Sequence, residues 1–421
     1  MTKKFRHDIL RGGRKFFHGG NMEKKYIYFQ PQYVGEFICD GSKCKDNCCE
    51  RGWNIDADEA TYQKYLQVNP QIAAQFEYNK DRGKYFLKKH PCPFLTDKKL
   101  CRLQLEYGED FLSRTCRGYP RVTFDFGKFF ERSLTLTCSL AAEKILFAEE
   151  PMKFELVEVS EKIHGGDKII INPVYLDEKI LEHMIEIQLA QISILQERTL
   201  TIDQRLIVLG FFLDKFQELV WSRTDNKTVL KLIATYKSEK FLFEEISPLI
   251  NSFVFDANKF VNFIMKLIGP TISIWNSAEG KKFIDVFEKV LAIKPDKNNE
   301  IFLPAIAANL ERLADARRDF SNKYSTFLEN YLVNELFYSF YPWRFRDQSI
   351  TKNFALFLIT YKIFELMMFS AVQSGLDSKE DLLAMVDWFM TTTDHEPELY
   401  RRFLNLLEYM EDTYLLMENL L

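Results

Sequence analysis

All eight cysteines of this 421-residue chain fall between Cys39 and Cys138. So uneven a distribution constrains the fold more than any other feature. Three kinds of structure account for it: a disulfide framework, structural zinc, or an iron–sulfur cluster. The first twenty residues carry six Lys/Arg but lack the apolar segment of roughly 7–15 residues that a secretory signal needs, which argues against export. In a reducing compartment such cysteines bind metal or do redox chemistry rather than pair. Disulfides are therefore the weakest of the three.

Zinc and iron–sulfur centres both take thiolates, and Cys39-x4-Cys44-x3-Cys48-Cys49 is compact enough for one loop to supply several. The second half reads Cys92-x8-Cys101-x14-Cys116-x21-Cys138, whereas structural zinc ligands come in pairs about two to four residues apart. Distant loops converging on a larger cluster fit this spacing better, with zinc as runner-up. All eight cysteines are candidate metal ligands. Neighbouring side chains usually diverge, so Cys48 and Cys49 are not expected both to reach the same metal atom, and not every cysteine need bind. Pro91 and Pro93 restrict the backbone on either side of Cys92, which suits a thiolate held in one orientation. His90 beside them reads as an outer or surface residue before a nitrogen ligand.

With hydrophobic residues at 47%, aromatics at 15% and charged residues at 28%, the chain has apolar surface for a large core and is not disordered. Its length predicts two or three units. A net charge of −4 provides no global field to recruit nucleic acid or an anionic membrane, so neither is an expected partner. The most apolar stretch, Phe354 to Val372, contains Lys362 and Glu365 and reads as a buried helix rather than a membrane span. A cytoplasmic protein is expected.

Patterning divides the chain into a flexible basic leader (1–25), a cysteine-rich metal-cluster module (26–153) and a helical bundle (154–421). The predicted fold is mainly α: an N-terminal α+β module with a short hairpin, packed on a C-terminal helical bundle. Asp56-x-x-Glu59 is predicted to cap a helix from about Ala57 to Leu66, and Val122 to Lys128 to form a hairpin leading to Cys138. A break around His164 to Asp167 and Asn172-Pro173 marks a linker. Beyond it apolar residues step by three and four, as in Leu206, Leu209, Leu213, Phe216, Val220 and in Phe354, Phe357, Tyr361, Phe364, Met368.

Two further sets are candidates for cofactor binding. Tyr331, Asn334 and Tyr338, with Phe327 and Tyr341, place an amide and phenols on one helix face, able to stack an adenine or surround a lysine side chain. The competing reading is that these hydroxyls and amides link the bundle to the cysteine module. Arg117, Tyr119 and Arg121 beside Cys116 could hold a carboxylate or offset the charge of a thiolate-bound cluster. Asp56 and Glu131 are weaker candidates for a base.

The residues Phe37-x-Cys39, Cys44-x3-Cys48-Cys49-x2-Gly52-Trp53, Cys92-Pro93-Phe94-Leu95, Leu100-Cys101, Thr115-Cys116-Arg117-x-Tyr119-Pro120-Arg121 and Leu134-Thr135-Leu136-x-Cys138 resemble the flagellin lysine-N-methylase family, within the broader CxxxCxxCC zinc- or iron-chelating proteins. Asn330 to Phe337 extends the resemblance into the helical half. The first spacings here are x4 and x3 rather than the x3 and x2 of the broader name. The resemblance implies a lysine N-methyltransferase that uses S-adenosylmethionine, houses a 4Fe-4S cluster and modifies a protein with an accessible lysine, flagellin being the namesake. No G-x-G element opens a βαβ unit, so an ordinary Rossmann donor site is not expected. Nor does Cys44-x3-Cys48-Cys49 continue as the C-x3-C-x2-C run of radical S-adenosylmethionine enzymes. The alternative from another class is a non-enzymatic zinc- or iron-binding interaction protein.

Overall fold

The computed structural model describes residues 26–44, 48–159, 167–170, 182–222, 226–238, 241–253, 256–260, 303–345 and 348–395, with isolated positions elsewhere. The predicted leader 1–25 lies outside them. The chain divides into two compact units, one of residues up to Lys144 together with Met152–Val174, the other of Ile145–Pro151 and Tyr175 onward.

The first unit is built on two sheets. Strands β1 (Tyr26–Pro31), β5 (Arg121–Asp125), β6 (Phe130–Leu134), β7 (Phe154–Val159) and β8 (Asp167–Ile170) form one in the order β7-β1-β6-β5-β8. The β5–β6 pair is the predicted hairpin, antiparallel with Asp125 opposite Phe130. β7 pairs along its whole length with β1, Tyr26 opposite Val159 and Pro31 opposite Phe154. The sheet thus takes strands from both sides of the boundary expected at 153/154. Of the predicted linker, Asp167 begins β8, which runs parallel to β5; His164 to Gly166 and Asn172-Pro173 lie outside the described residues.

The smaller sheet has the order β2-β4-β3, from Asp56–Ala57, Lys84–Leu87 and Phe76–Asn79. The short helices along this part of the chain are α1 (Gln32–Glu36), α2 (Glu59–Val68), α3 (Pro70–Ala73), α4 (Arg102–Tyr107), α5 (Arg114–Gly118) and α6 (Ser139–Leu146). Asp56 does not cap α2 as expected. Its carboxylate accepts hydrogen bonds from Lys84 and Thr115, and Asp58 takes the cap, accepting from the Thr61 N–H at 2.8 Å. Ala57 accordingly belongs to β2 rather than to the helix.

The second unit is helical: α7 (Met184–Leu195), α8 (Ile202–Trp221), α9 (Asn226–Tyr236), α10 (Ser247–Ile250), α11 (Leu303–Arg312), α12 (Ala314–Lys323), α13 (Ser325–Tyr338), α14 (Ile350–Gln373) and α15 (Lys379–His395). Thr201 and Gln204 close a reciprocal capping box that starts α8. Leu206, Leu209, Leu213 and Phe216 are buried along it, as are Phe354, Phe357, Tyr361, Phe364 and Met368 along α14. By length and composition α14 would cross a membrane, yet 94% of its most apolar window is buried inside the chain, as the sequence predicts. Each fully buried Phe or Leu there stabilises by about 1.5–3 kcal/mol. The buried charges Glu329 and Lys362 each meet two counter-charges: Glu329 accepts from Arg198 Nη2 at 3.0 Å and Arg205 Nη1 at 2.8 Å, and Lys362 donates to Asp203 at 2.6 Å and Glu365 at 2.9 Å.

Candidate metal centre

Every cysteine of the chain lines one cavity of about 140 Å³ in the first unit. The loop before β2 delivers Cys39, Cys44, Cys48 and Cys49. Gly52, at φ +72°, turns the chain immediately afterwards and brings Trp53 into the cavity wall. The segment after β4 delivers Cys92, whose N–H donates to the Cys49 carbonyl at 3.0 Å. Cys101 stands at the N-terminus of α4, Cys116 lies within α5, and Cys138 precedes α6. Cysteines far apart in sequence, from loops on both sheets, thus meet at one place.

Their environment is apolar and crowded. Burial pushes the Cys116 and Cys138 thiols up to about 12. Burial, then the neighbouring Cys48 and Cys44, pushes Cys39 up to about 11. The Cys49 thiol is shared with Cys48 and Cys92 and is itself held strongly protonated, while its hydrogen bond draws Cys92 down to about 7. Two guanidinium groups oppose the accumulation of negative charge: Arg121 at Cys39, and Arg51 at Cys44 and Cys48.

Of the predicted cofactor residues, Tyr119 lines the cavity, its hydroxyl 3.2 Å from Thr137 Oγ1 and its ring edge-on to Trp53 at 4.6 Å. Arg121 donates to the Phe37 carbonyl at 2.9 Å, which fixes it beside Cys39. Arg117 faces the other way, 3.4 Å from Asp110. Tyr331 and Asn334 are both 0% exposed in the second unit, Tyr331 stacked on Phe364 at 3.7 Å, and Tyr338 is half-buried. As placed, the Tyr331 ring presents no open face. His90 is exposed, Glu131 is fully buried on β6, and Asp56 is engaged by Lys84 and Thr115. Sequence reasoning missed Arg51; its position directly after Cys48-Cys49-Glu50 was the available signal.

Among the described residues, no three His, Cys, Asp or Glu side chains converge on a point where a single metal ion would sit. A cluster differs in its demand, because each iron takes its own thiolate and the ligands stand around a body of some size. Sulfur-only donors spread about one apolar cavity fit such a group by donor chemistry.

A family model described as the FliB lysine N-methylase C-terminal domain matches residues 188–420, beyond the cysteines. Among curated proteins, the lysine-N-methylase of Salmonella typhimurium is 32% identical over 134 residues, covering 29% of this chain and 33% of the relative. The flagellar biosynthetic protein FliU of Salmonella muenchen is also 32% identical over 134 residues, covering 79% of that protein. The chain thus spans about a third of the length of the curated lysine-N-methylases it matches. No solved structure matches. With more than half of its length under the family model, the chain belongs to the FliB lysine N-methylase family.

Proposed function

We propose that this chain is a cytoplasmic protein lysine N-methyltransferase that takes its methyl group from S-adenosylmethionine and holds a 4Fe-4S cluster among the thiols of its first unit. Family membership supports the methyltransferase reading, and the relative named as a flagellar biosynthetic protein supports flagellin as the substrate class. The observation that carries the cluster is the single cavity lined by all eight thiols.

In the reaction the neutral lysine amine forms a bond to the methyl carbon as that carbon's bond to sulfur breaks. The products are methyl-lysine, a neutral thioether and a proton. A bound cluster supplies iron able to accept electron pairs from oxygen and nitrogen groups. The chain's own residues do the rest: Trp53 and Tyr119 wall off water, while Arg51 and Arg121 set positive charge beside the thiolates. Tyr331, Asn334 and Tyr338 are assigned to packing the second unit, with Tyr331 stacked on Phe364.

The test is metal and acid-labile sulfide analysis of protein purified without oxygen, followed by transfer of labelled methyl groups to flagellin. Iron and sulfide in equal amounts, with transfer that stops when the cluster is removed from still-folded protein, is the expected result. Zinc without sulfide would sink the cluster and leave a structural thiol site.

A further inference from the structure

We infer that Lys99 and Glu50, paired at the edge of the cysteine cavity, recognise the amino-carboxylate end of the methyl donor. This rests on the donor reading above and deepens it. Lys99 lines the cavity, yet its side chain is 49% exposed, so it runs from the cavity wall out to solvent. Its Nζ lies 3.1 Å from Oε2 of Glu50, itself 37% exposed. Glu50 follows Cys49, and Lys99 stands two residues before Cys101, so the pair joins two cysteine-bearing segments.

The backbone holds Lys99 there at a conformational cost. Its φ of +59° lies in the left-handed region that favours glycine, which Phe340 alone shares among the described non-glycine residues. A tight turn fixes it. The Lys99 N–H donates to the Thr96 carbonyl at 2.8 Å, the Leu100 N–H to Thr96 Oγ1 at 3.1 Å, and the Thr96 N–H to the Leu100 carbonyl at 2.9 Å. Leu95 and Cys101 bridge at the base of the turn. Residues in this conformation persist only where their surroundings over-determine them, and they gather at ligand clamps. Stapling two loops together does not account for the cost, because an ion pair this exposed contributes little to stability.

A zwitterionic ligand does account for it. An α-carboxylate matches the Lys99 ammonium and an α-ammonium matches the Glu50 carboxylate, so one weak pair is exchanged for two charge-assisted ones. Leu100 follows Lys99, Trp53 follows Glu50 by three residues, and both line the cavity. Apolar and aromatic surface therefore adjoins the charged pair, which suits an amino acid head joined to an aromatic base. S-adenosylmethionine has that form.

The test is calorimetric binding to the full chain purified without oxygen, with two probes: S-adenosylmethionine, and methylthioadenosine, which keeps the adenosine and lacks the amino acid head. Lys99→Gly adopts the same φ without strain and so keeps the turn. It should weaken the donor about tenfold or more, as should Glu50→Gln, while methylthioadenosine binds each variant as it binds the wild type. Exchanging the charges, Glu50→Lys together with Lys99→Glu, restores an ion pair but should not restore donor affinity. Donor affinity unchanged in both single variants, or recovered by the exchange, would overturn the inference and leave the donor reading intact. Equal losses for the two probes would do the same, since they would mark a structural role for the pair. No binding of S-adenosylmethionine to the wild type would overturn both.

Discussion

Asp56 and Asp58 lie two positions apart and serve different partners: Asp58 caps α2, and Asp56 ties Lys84 and Thr115 together. Asp58→Ala should cost about 1 kcal/mol of stability in a denaturant titration, the usual loss of a helix cap. Glu329, 1% exposed and bound by two arginines, is more consequential. Glu329→Gln should cost roughly 3–5 kcal/mol, because it leaves Arg205 buried without its counter-charge; a loss under about 1 kcal/mol would show that the pair contributes little. The cysteines were legible as residues because their chemistry is narrow. Asp56 was misread because N-caps at 56 and 58 both satisfy the local pattern, and only a partner remote in sequence, Lys84, decides between them.

Helix α8 approaches α14 closely at Gly210, where an added Cβ would meet Met417 and lie 2.9 Å from Phe354. Gly210→Leu should therefore destabilise by about 1–3 kcal/mol or more through overpacking, read as a lower denaturant midpoint. The stripes that predicted these two helices were legible because a helix buries one face at a fixed period. The face of Tyr331, Asn334 and Tyr338 was not, since a polar side chain reads alike whether it meets a ligand or another helix. Within α14, Glu365 is fully buried. Burial raises its pKa, but Lys362 and Arg317 outweigh that and hold it below the ordinary value of 4.5. A depressed carboxylate stabilises the fold above its unfolded pKa and loses that contribution as pH falls through the folded value. Stability should therefore decline on acidification below about 4.5, and Glu365→Gln should flatten the decline in pH-dependent melts.

A cluster held as proposed among the thiols of the first unit predicts that the two units respond differently to its removal. Stripping metal with a chelator should raise hydrogen exchange across residues 39–138 while the amides of α8 and α14 stay protected; equal deprotection of both would contradict a centre confined to the first unit. The division into a cysteine-bearing part and a helical part was visible as a change of period, but its boundary was not. Phe154-Glu155-Leu156-Val157-Glu158-Val159 carried the strand signal, yet which sheet it would join depended on pairing with β1 at the far end of the unit. That pairing, reinforced by the Gln30 side chain donating to Glu155 across 125 positions of sequence, also sets an order in time. A ribosome releases Cys39 through Cys138 before it releases the strand that closes their sheet. For that interval the nascent thiols have no finished shelter, and a non-local closure of this kind is slow. Synthesis under oxidative stress should consequently harm the newborn chain before it harms the finished one, and expression without oxygen should raise the yield of folded protein more than purification without oxygen does.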